Sequence, residues 1–309
     1  MALTLLEAAK HHSGDVYRQA VLETIGYEGT VLGMLPFINI SGGAYTYLQE
    51  QSLGGIEYRG FNETYSESTG ILSEDVEKLQ PFGGNIDVDR AIVKTNGADI
   101  RNTYEQMKMK AMSLKFNRLF VKGDKDTDSK GINGLQKRIV GGQVVPAGGT
   151  SGGDALSLSK LDELIDACQG CNALLMNKTM RRRLTAAART TGVGGFITYD
   201  QDEFGRKVTM YGDTPIMLID EDETGAQILA FDEAASGGGA AASTSIYAVA
   251  FGEDGVTGIQ NGDPEVMDMG LLDSAGAYRT NIEWLNGIGV MRPKAAARLT
   301  GIKNAAVVV

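Results

Sequence analysis

The segment from Ala98 to Asp124 sets the architecture expected of this chain, and it reads ADIRNTYEQMKMKAMSLKFNRLFVKGD. Asn96 offers an N-cap before it, Asp99 lies at its start, and Gly123 closes it. We therefore predict a helix over about 98–121, which would be roughly 36 Å long and would serve as a spine. Its buried face should be the apolar residues that recur at steps of three and four: Ile100, Tyr104, Met107, Ala111 and Leu114.

The sequence before the spine helix predicts an arm, a hairpin and a strand. Residues 1–35 read as an arm, in which an amphipathic helix fits Asp15 to Ile25 without a local surface to cover its apolar face. Residues 37–65 alternate on both sides of a turn at Gly54-Gly55, which is typical of a long β-hairpin. An isolated two-stranded ribbon is marginal in water, so this hairpin needs a partner surface. Residues 85–94 alternate as a further strand.

The sequence after the spine helix predicts a mixed region of helices and strands from about 136 to 265, followed by a long strand. No internal repeat of the solenoid type is present. The predicted elements are helices at Leu158–Cys168 and Lys178–Arg189, strands at Ala173–Met176, Lys207–Tyr211, Pro215–Ile219, Ile228–Phe231, Ile246–Phe251 and 277–291, a short helix at Pro293–Leu299 and a closing strand at Gly301–Val308.

Composition and charge narrow the possible functions. The 309 residues carry a formal net charge of −10, and an acidic surface disfavours general binding to nucleic acid. Two cysteines cannot form a disulfide framework of the secreted kind. The sequence shows no signal peptide and no apolar run of roughly 20 residues, so we expect a soluble protein made in a reducing cytoplasm. The 41 glycines indicate many turns and flexible loops.

The segment Gly149-Thr150-Ser151-Gly152-Gly153 matches the G-x-S-x-G pattern of hydrolases. That pattern needs a strand before it, a helix after it, and a later histidine to activate the serine. The only histidines, His11 and His12, come earlier in the chain. We therefore interpret Ser151 as part of a flexible turn and expect no catalytic residue and no enzyme activity.

Cys168-Gln169-Gly170-Cys171 is a C-x-x-C motif. A reactive thiol usually lies at a helix N-terminus, whereas Cys168 falls at a predicted C-terminus. A zinc site would require two further ligands, and only the two adjacent histidines remain. A structural role is favoured over a metal or redox role, and any other role of Cys168 and Cys171 stays open.

Two charged clusters invite a binding interpretation. Asp124, Asp126 and Asp128 begin like a calcium loop, but Ser129 and Leu135 occupy the positions that need glycine and glutamate, so a solvated loop is favoured over weak cation binding. Arg181-Arg182-Arg183 with Arg189 forms a dense basic cluster. Its expected counterparts are the acidic loops Asp200–Glu203 and Asp220–Glu223, in the same subunit or across an interface, rather than nucleic acid. No P-loop, dinucleotide fingerprint or metal-spaced set is present, so no cofactor and no metal is expected.

Short phrases in a fixed order along nearly the whole chain carry a resemblance to one family. They are Gly123-Asp124 followed by Gly131-Ile132-Asn133-Gly134-Leu135, Asn172–Asn177 with the helix after it, Gly212-Asp-Thr-Pro-Ile216, Phe251-Gly252-Glu253, and Val290-Met-Arg-Pro293-Lys-Ala295 with Ala296 where an aromatic residue is usual. Together with the arm, loop and spine, they resemble the major capsid proteins of tailed bacteriophages, whose Hong Kong 97-type fold is shared by encapsulin nanocompartments.

The resemblance implies an α+β fold with four parts. These are an N-terminal arm (1–35), an extended β-hairpin loop (36–66), a peripheral domain (67–135 and 266–309) that contains the spine helix, and an axial domain (136–265). It also implies a structural protein of the virion that self-assembles through a procapsid, as hexamers and pentamers, into an icosahedral phage head around double-stranded DNA. Assembly in the host cytoplasm is expected, and membrane binding is not.

Departures from the family pattern refine these expectations. No lysine lies between Lys10 and Lys78, so the isopeptide bonds that some members form through the loop are not expected. Shell stability should then rest on non-covalent contacts or on a decoration or cementing protein. The arm begins almost at Met1, which predicts a separate scaffolding protein alongside a portal protein. The alternatives are an encapsulin-type compartment and a hydrolase-like enzyme acting through Ser151.

Overall fold

Two β-sheets, a long helix and a two-stranded ribbon make up the fold. The computed structural model describes residues 3–4, 30–96, 99–190, 196–201, 207–273 and 275–308. The strands are β1 (Leu3–Thr4), β2 (Pro36–Asn39), β3 (Ala44–Ser52), β4 (Ile71–Lys78), β5 (Gln80–Asp89), β6 (Val144–Pro146), β7 (Ala173–Met176), β8 (Ile197–Gln201), β9 (Lys207–Tyr211), β10 (Thr214–Leu218), β11 (Ser243–Val249), β12 (Val256–Gln260), β13 (Glu265–Leu271), β14 (Ala277–Val290) and β15 (Ala296–Lys303). The helices are α1 (Arg90–Asn96), α2 (Asp99–Lys122), α3 (Leu135–Arg138), α4 (Leu158–Ala167) and α5 (Lys178–Thr190), with 3₁₀ turns at Gly141–Gln143 and Pro293–Ala295.

The first sheet is built around the long strand β14. Strand β5 pairs antiparallel with β14 from Ala277 to Asn286, while β13 and β12 pair with successive parts of its other edge. Strand β2 joins β12 in parallel, and β1 pairs antiparallel with β2. Helix α2 packs on this sheet through an aromatic cluster. Phe116 of α2 lies 5.6 Å from Trp284 and 6.4 Å from Phe37, measured between ring centroids.

The second sheet has the strand order β6-β15-β11-β7-β10-β9-β8. Its central strands β11 and β7 are buried along their whole length, so they read as continuous apolar or small-residue runs rather than as an alternation. Helix α4 buries Leu161 and Leu164 against this sheet, and Ser157 caps its first turn by accepting the Lys160 N–H. Helix α5 buries Met180 and Leu184.

Several predicted elements agree with the structure. The spine helix over about 98–121 is α2, and the predicted strand Ala173–Met176 is β7. The predicted helices at 158–168 and 178–189 and the strands at 207–211, 215–219, 246–251 and 277–291 match α4, α5, β9, β10, β11 and β14 within a few residues. The predicted N-terminal helix Asp15–Ile25 lies outside the described residues, as does the side chain of the predicted N-cap Asn96.

The hairpin was predicted over the wrong residues. Its second strand is β4, which pairs with β3 from Lys78 to Ile71, so Gly54-Gly55 is not the hairpin turn and Ile56–Arg59 is not a strand. The paired part of β4 is largely acidic and polar, so its sequence lacks the β-branched and aromatic residues that are typical of a strand. The ribbon therefore spans 44–78. The last residues of the predicted arm belong to the core, since Val31, Leu32 and Leu35 are fully buried.

The buried face of the spine helix also differs from the prediction. Tyr104 and Met107 are exposed, and the face that packs on the sheet contains Glu105, Met109, Met112, Phe116 and Phe120. The buried face includes polar residues such as Glu105, so the periodicity of apolar residues alone does not identify it. Glu105 accepts a hydrogen bond from the Thr280 hydroxyl at 2.8 Å, so its burial is compensated.

Four further predictions are wrong at the level of single elements. Residues 90–94 form the helix α1 rather than a strand, because the Asp89 carboxylate caps the Ala91 N–H at 2.6 Å. Residues 228–231 lie in a loop rather than a strand, with Ile228 and Leu229 buried. The helix at 293–299 is only a 3₁₀ turn, after which the closing strand begins at Ala296 instead of Gly301.

The two sheets exchange strands across the predicted domain boundary near residue 265. Strand β15 pairs with β11 in the second sheet, although it was assigned to the domain of the spine helix, and β12 pairs with β14 in the first sheet. Both exchanges bury apolar side chains, including Leu299 and Ile302 of β15 and Ile259 of β12. The division into peripheral and axial domains stays a prediction.

Candidate assembly surface

Ser151 lies in a glycine turn without the surroundings of a catalytic serine. Gly152 and Gly153 have positive φ angles of 79° and 98°, and the Asp154 carboxylate accepts the Thr150 N–H at 3.0 Å. The Ser151 hydroxyl is 3.4 Å from the Gly238 carbonyl of a second glycine-rich loop. Neither the strand–turn–helix geometry of a nucleophile elbow nor a histidine base is found here among the described residues.

The aspartate loop after the spine helix is held by its own residues. Lys137 places its ammonium 2.7 Å from the Asp126 carboxylate and 3.5 Å from that of Asp124. Asp124 also accepts the Asp126 N–H, and this hydrogen bond lowers the pKa of Asp124. Within the described part of the chain, no group of three or more His, Cys, Asp or Glu residues is placed to hold a metal ion.

The basic cluster on α5 does not pair with Asp220–Glu223 as expected within one subunit. Those acids contact other cations: Asp220 pairs with Lys178, Asp222 with Arg118 at 3.2 Å, and Glu223 with Lys115 at 3.8 Å. Arg183 instead donates to the Asn304 side-chain oxygen. Asp202 and Glu203 of the loop Asp200–Glu203 lie outside the described residues. Pairing of these arginines across an interface stays a prediction.

The ribbon of β3 and β4, with the connecting segment 53–70, carries nine of the large apolar side chains that are exposed in the described chain. Ile56, Tyr58 and Phe61 in the connecting segment are fully exposed. Six further large side chains of the ribbon are more than half exposed: Leu48, Leu53, Tyr65, Ile71, Leu72 and Val76. Exposed apolar side chains concentrated in one segment indicate a site of interaction with another protein.

The base of the ribbon is fixed to the body of the protein. Glu77 of β4 forms an ion pair with Arg138 in which both side chains are mostly buried. The Gln49 side chain donates to the Val290 carbonyl at 2.6 Å. Burial, together with the nearby Glu77 carboxylate, raises the pKa of Tyr47. These contacts set the direction in which the ribbon leaves the body.

The tip of the ribbon is ordered by short-range contacts. Gly54 and Gly70 let the two sides of the ribbon approach closely, because a Cβ on Gly70 would lie 2.9 Å from the Ser52 carbonyl oxygen. The Glu63 carboxylate accepts the Gly60 N–H at 2.7 Å. Arg59 lies over the Tyr65 ring at 5.3 Å from its centroid. The tip therefore has a defined shape although its apolar side chains face solvent.

A second exposed apolar group lies on the first sheet and the spine helix. Strand β13 pairs only with β14 in the described chain, and its Met267, Met269 and Leu271 are exposed. Tyr104 and Met107 of α2 are also exposed. An unpaired strand edge with exposed methionines offers both hydrogen-bonding groups and an adaptable apolar surface to another chain. The sequence indicated that the ribbon needs a partner surface, but it showed neither which of its side chains are exposed nor the group on β13 and α2.

The two cysteines lie at the C-terminal end of α4, as the sequence predicted. Cys168 is buried, Cys171 is partly exposed, and both are free thiols. No described helix is long and apolar enough to cross a membrane.

The structure resembles shell-forming proteins over almost its whole length. An encapsulin from Synechococcus elongatus PCC 7942 aligns with 90% of this chain and 89% of its own, at 15% identity and a TM-score of 0.64. The capsid of a GTA particle aligns with 89% of this chain and 90% of its own, at 15% identity and a TM-score of 0.61. The Mycobacterium phage Bobi structure aligns with 88% of this chain and 89% of its own, at 11% identity and a TM-score of 0.60. No protein-family model and no curated protein sequence matches the chain. These likenesses confirm the predicted Hong Kong 97-type capsid fold.

Proposed function

We propose that this chain, which has the Hong Kong 97-type fold, is the major capsid protein of a tailed bacteriophage. In this proposal it assembles as hexamers and pentamers into an icosahedral head, first as a procapsid in the host cytoplasm and finally in the virion. Its role is structural rather than enzymatic. The head encloses double-stranded DNA without reading its sequence, and a chain with a net charge of −10 has little general attraction for phosphate.

The exposed apolar ribbon is the observation that supports this proposal most. Fully burying a side chain such as Ile56 or Phe61 stabilises an interface by about 1.5–3 kcal/mol. The rigid base of the ribbon allows this gain without much loss of conformational freedom. A ribbon that leaves one subunit and packs on a different part of the next makes a heterologous contact. Such contacts close into rings when the rotation allows it, and rings can tile a shell.

The partners follow from the same proposal. The ribbon contains no lysine before Lys78, so its contacts with a neighbour are non-covalent. A decoration or cementing protein would then add stability to the finished shell. A separate scaffolding protein would direct curvature during assembly, and a portal protein would occupy one vertex.

An encapsulin-type compartment is the second candidate. The encapsulin from Synechococcus elongatus gives a TM-score of 0.64, against 0.61 for the GTA capsid. The two candidates share the shell and differ in its contents. A phage head would hold DNA, whereas an encapsulin-type compartment would hold a protein cargo.

Expression of the chain alone and with its genomic neighbours, followed by negative-stain electron microscopy, tests the proposal. Closed shells, tubes or capsomer rings are expected, and shells that need a neighbour would identify the scaffold. A monodisperse monomer or dimer in both preparations would contradict a shell role. Shells purified from the natural source and treated with nuclease then separate the two candidates, since protected DNA supports a phage head and a co-purifying enzyme supports a compartment.

A further inference from the structure

The cysteine pair lies on the two sides of a tight turn. Cys168 is the C-cap of α4, Gln169 and Gly170 form the turn, and Cys171 lies two residues before β7. Gly170 has a φ of +76°, which a residue with a side chain rarely adopts. The ends of a β-turn lie within about 7 Å of each other between Cα atoms. A disulfide needs a Cα separation of about 4.4–6.8 Å, so the turn suits one.

The two thiols differ in environment. Cys168 is buried and its Sγ lies 3.4 Å from the Ala295 carbonyl oxygen. Cys171 is partly exposed, and its Sγ lies 3.6 Å from the Ala173 carbonyl oxygen. The interaction between the two thiols lowers the pKa of Cys171 and raises that of Cys168, whose burial adds to the increase. A helix C-terminus disfavours a reactive thiol at Cys168, but this reason does not extend to Cys171, which lies beyond the helix.

A solvent-accessible pocket lies beside the turn. It has a volume of about 750 Å³, and its lining includes Gly170 and Asn172, the residues on either side of Cys171. Phe251 and Arg292 lie on its other walls. A small molecule that enters this pocket reaches the backbone next to Cys171.

We propose that Cys168 and Cys171 form a reversible disulfide by exchange with a low-molecular-weight disulfide. The Cys171 thiolate attacks one sulfur of that disulfide, whose S–S bond breaks and releases one thiol after protonation. Cys168 then loses its proton and attacks the Cys171 sulfur, which releases the second thiol. The protein loses two S–H bonds and gains one S–S bond, and two electrons pass to the small disulfide.

The pair lies where the chain crosses between the two sheets. One crossing, 250–255, joins β11 to β12, and the other, 291–295, joins β14 to β15. Residues of the turn and next to it are hydrogen-bonded to both crossings. The Gln169 N–H donates to the Lys294 carbonyl at 2.9 Å. The Asn172 side chain exchanges two hydrogen bonds of 2.8 Å with the Phe251 backbone. Oxidation removes the thiol proton that Cys168 can donate to Ala295. The redox state of the pair would thus alter the junction of the sheets.

Intact-mass spectrometry of the full chain tests the proposal. The purified protein is equilibrated with mixtures of reduced and oxidised glutathione, acid-quenched, and alkylated in denaturant. The expected result is two alkyl groups under reducing conditions and none under oxidising conditions, with the unalkylated mass lower by two hydrogen atoms. Two alkyl groups across the whole series, or a disulfide between two chains, would overturn the proposal.

Single variants identify the attacking thiol. Cys168→Ala keeps Cys171 and should trap one glutathione adduct, whereas Cys171→Ala should stay unmodified under the same exposure. The reverse pattern would overturn the assignment of Cys171 as the attacking thiol. The wild-type experiment does not depend on these variants, so the disulfide itself remains testable if a variant fails to fold.

Discussion

At the scale of single residues, the loop that follows the spine helix requires glycine at two positions, Gly123 and Gly134. The Gly134 N–H donates to the Gly123 carbonyl at 2.8 Å, which folds the segment between them into a closed loop. A Cβ on Gly134 would lie 2.6 Å from the Leu119 carbonyl oxygen and 2.7 Å from the Gly123 nitrogen. Sequence resemblance could identify the phrase, but only the folded backbone shows the close approach that requires glycine.

Gly134→Ala should therefore destabilise the protein strongly. The added methyl group lies within 2.8 Å of three backbone atoms, and overpacking of this kind costs about 1–3 kcal/mol. Chemical denaturation measures the loss as a lower midpoint. Gly142→Ala is the matched control, because a Cβ there meets nothing within 4 Å. Equal midpoints for the two variants would contradict the close packing of this loop.

Paired aspartates should make the protein sensitive to acid. Arg101 lies 2.8 Å from Asp268, and its hydrogen bond lowers the pKa of Asp268 below the ordinary value of 3.8. A carboxyl group with a lower pKa in the folded state binds fewer protons there, so acid favours unfolding. The contribution is present above about pH 3.8 and is lost as the pH falls through the lowered pKa.

The thermal midpoint should accordingly fall as the pH drops below about 4, and Asp268→Asn should reduce the steepness of that fall. Scanning calorimetry between pH 3 and 6 measures both. Asp254→Asn is the control, since the side chain of Asp254 takes no part in the ion pairs of the described chain. A steeper fall for Asp268→Asn than for the wild type would contradict the assigned sign.

At the scale of elements, the position of the spine helix could be predicted, whereas the face that it buries could not. Helix length and ends follow from local signals such as Gly123. The buried face depends on which polar residues find partners, and here Asn117 accepts the Val31 N–H at 3.4 Å from inside the core. Strand β4 was missed for a related reason, because its pairing with β3 does not require apolar residues.

Two methionines of the spine helix test its orientation. Met109 is 3% exposed and Met107 is 61% exposed, although Met107 belonged to the predicted buried face. Met109→Ala should lower the free energy of unfolding by about 2–5 kcal/mol, since it leaves a cavity. Met107→Ala should change it by less than about 0.5 kcal/mol in the unassembled chain. Urea denaturation of both variants measures the two losses. A larger loss for Met107→Ala than for Met109→Ala would support the face that the sequence predicted.

At the scale of the whole molecule, strand exchange between the sheets was beyond prediction, because sequence order assigns neighbouring strands to one unit. Strand β15 crosses into the second sheet and β12 into the first, so neither sheet is complete without a distant segment. The ribbon, in contrast, was partly predictable. Its sequence already indicated a need for a partner surface, and the described chain leaves its apolar tip in solvent. Both findings make the subunit one body with an apolar extension.

The most direct test of the account is the assembly state of a tip variant. Ile56→Ser, Tyr58→Ser and Phe61→Ser are combined in one chain, and particles are counted by electron microscopy beside the wild type under the conditions that give shells. A folded subunit with an unchanged circular-dichroism spectrum is expected, and it should form few or no shells. Val140→Ser, which removes an exposed apolar side chain from the body, should assemble normally. Shells from the triple variant in wild-type numbers would contradict the claim that the ribbon joins the subunits.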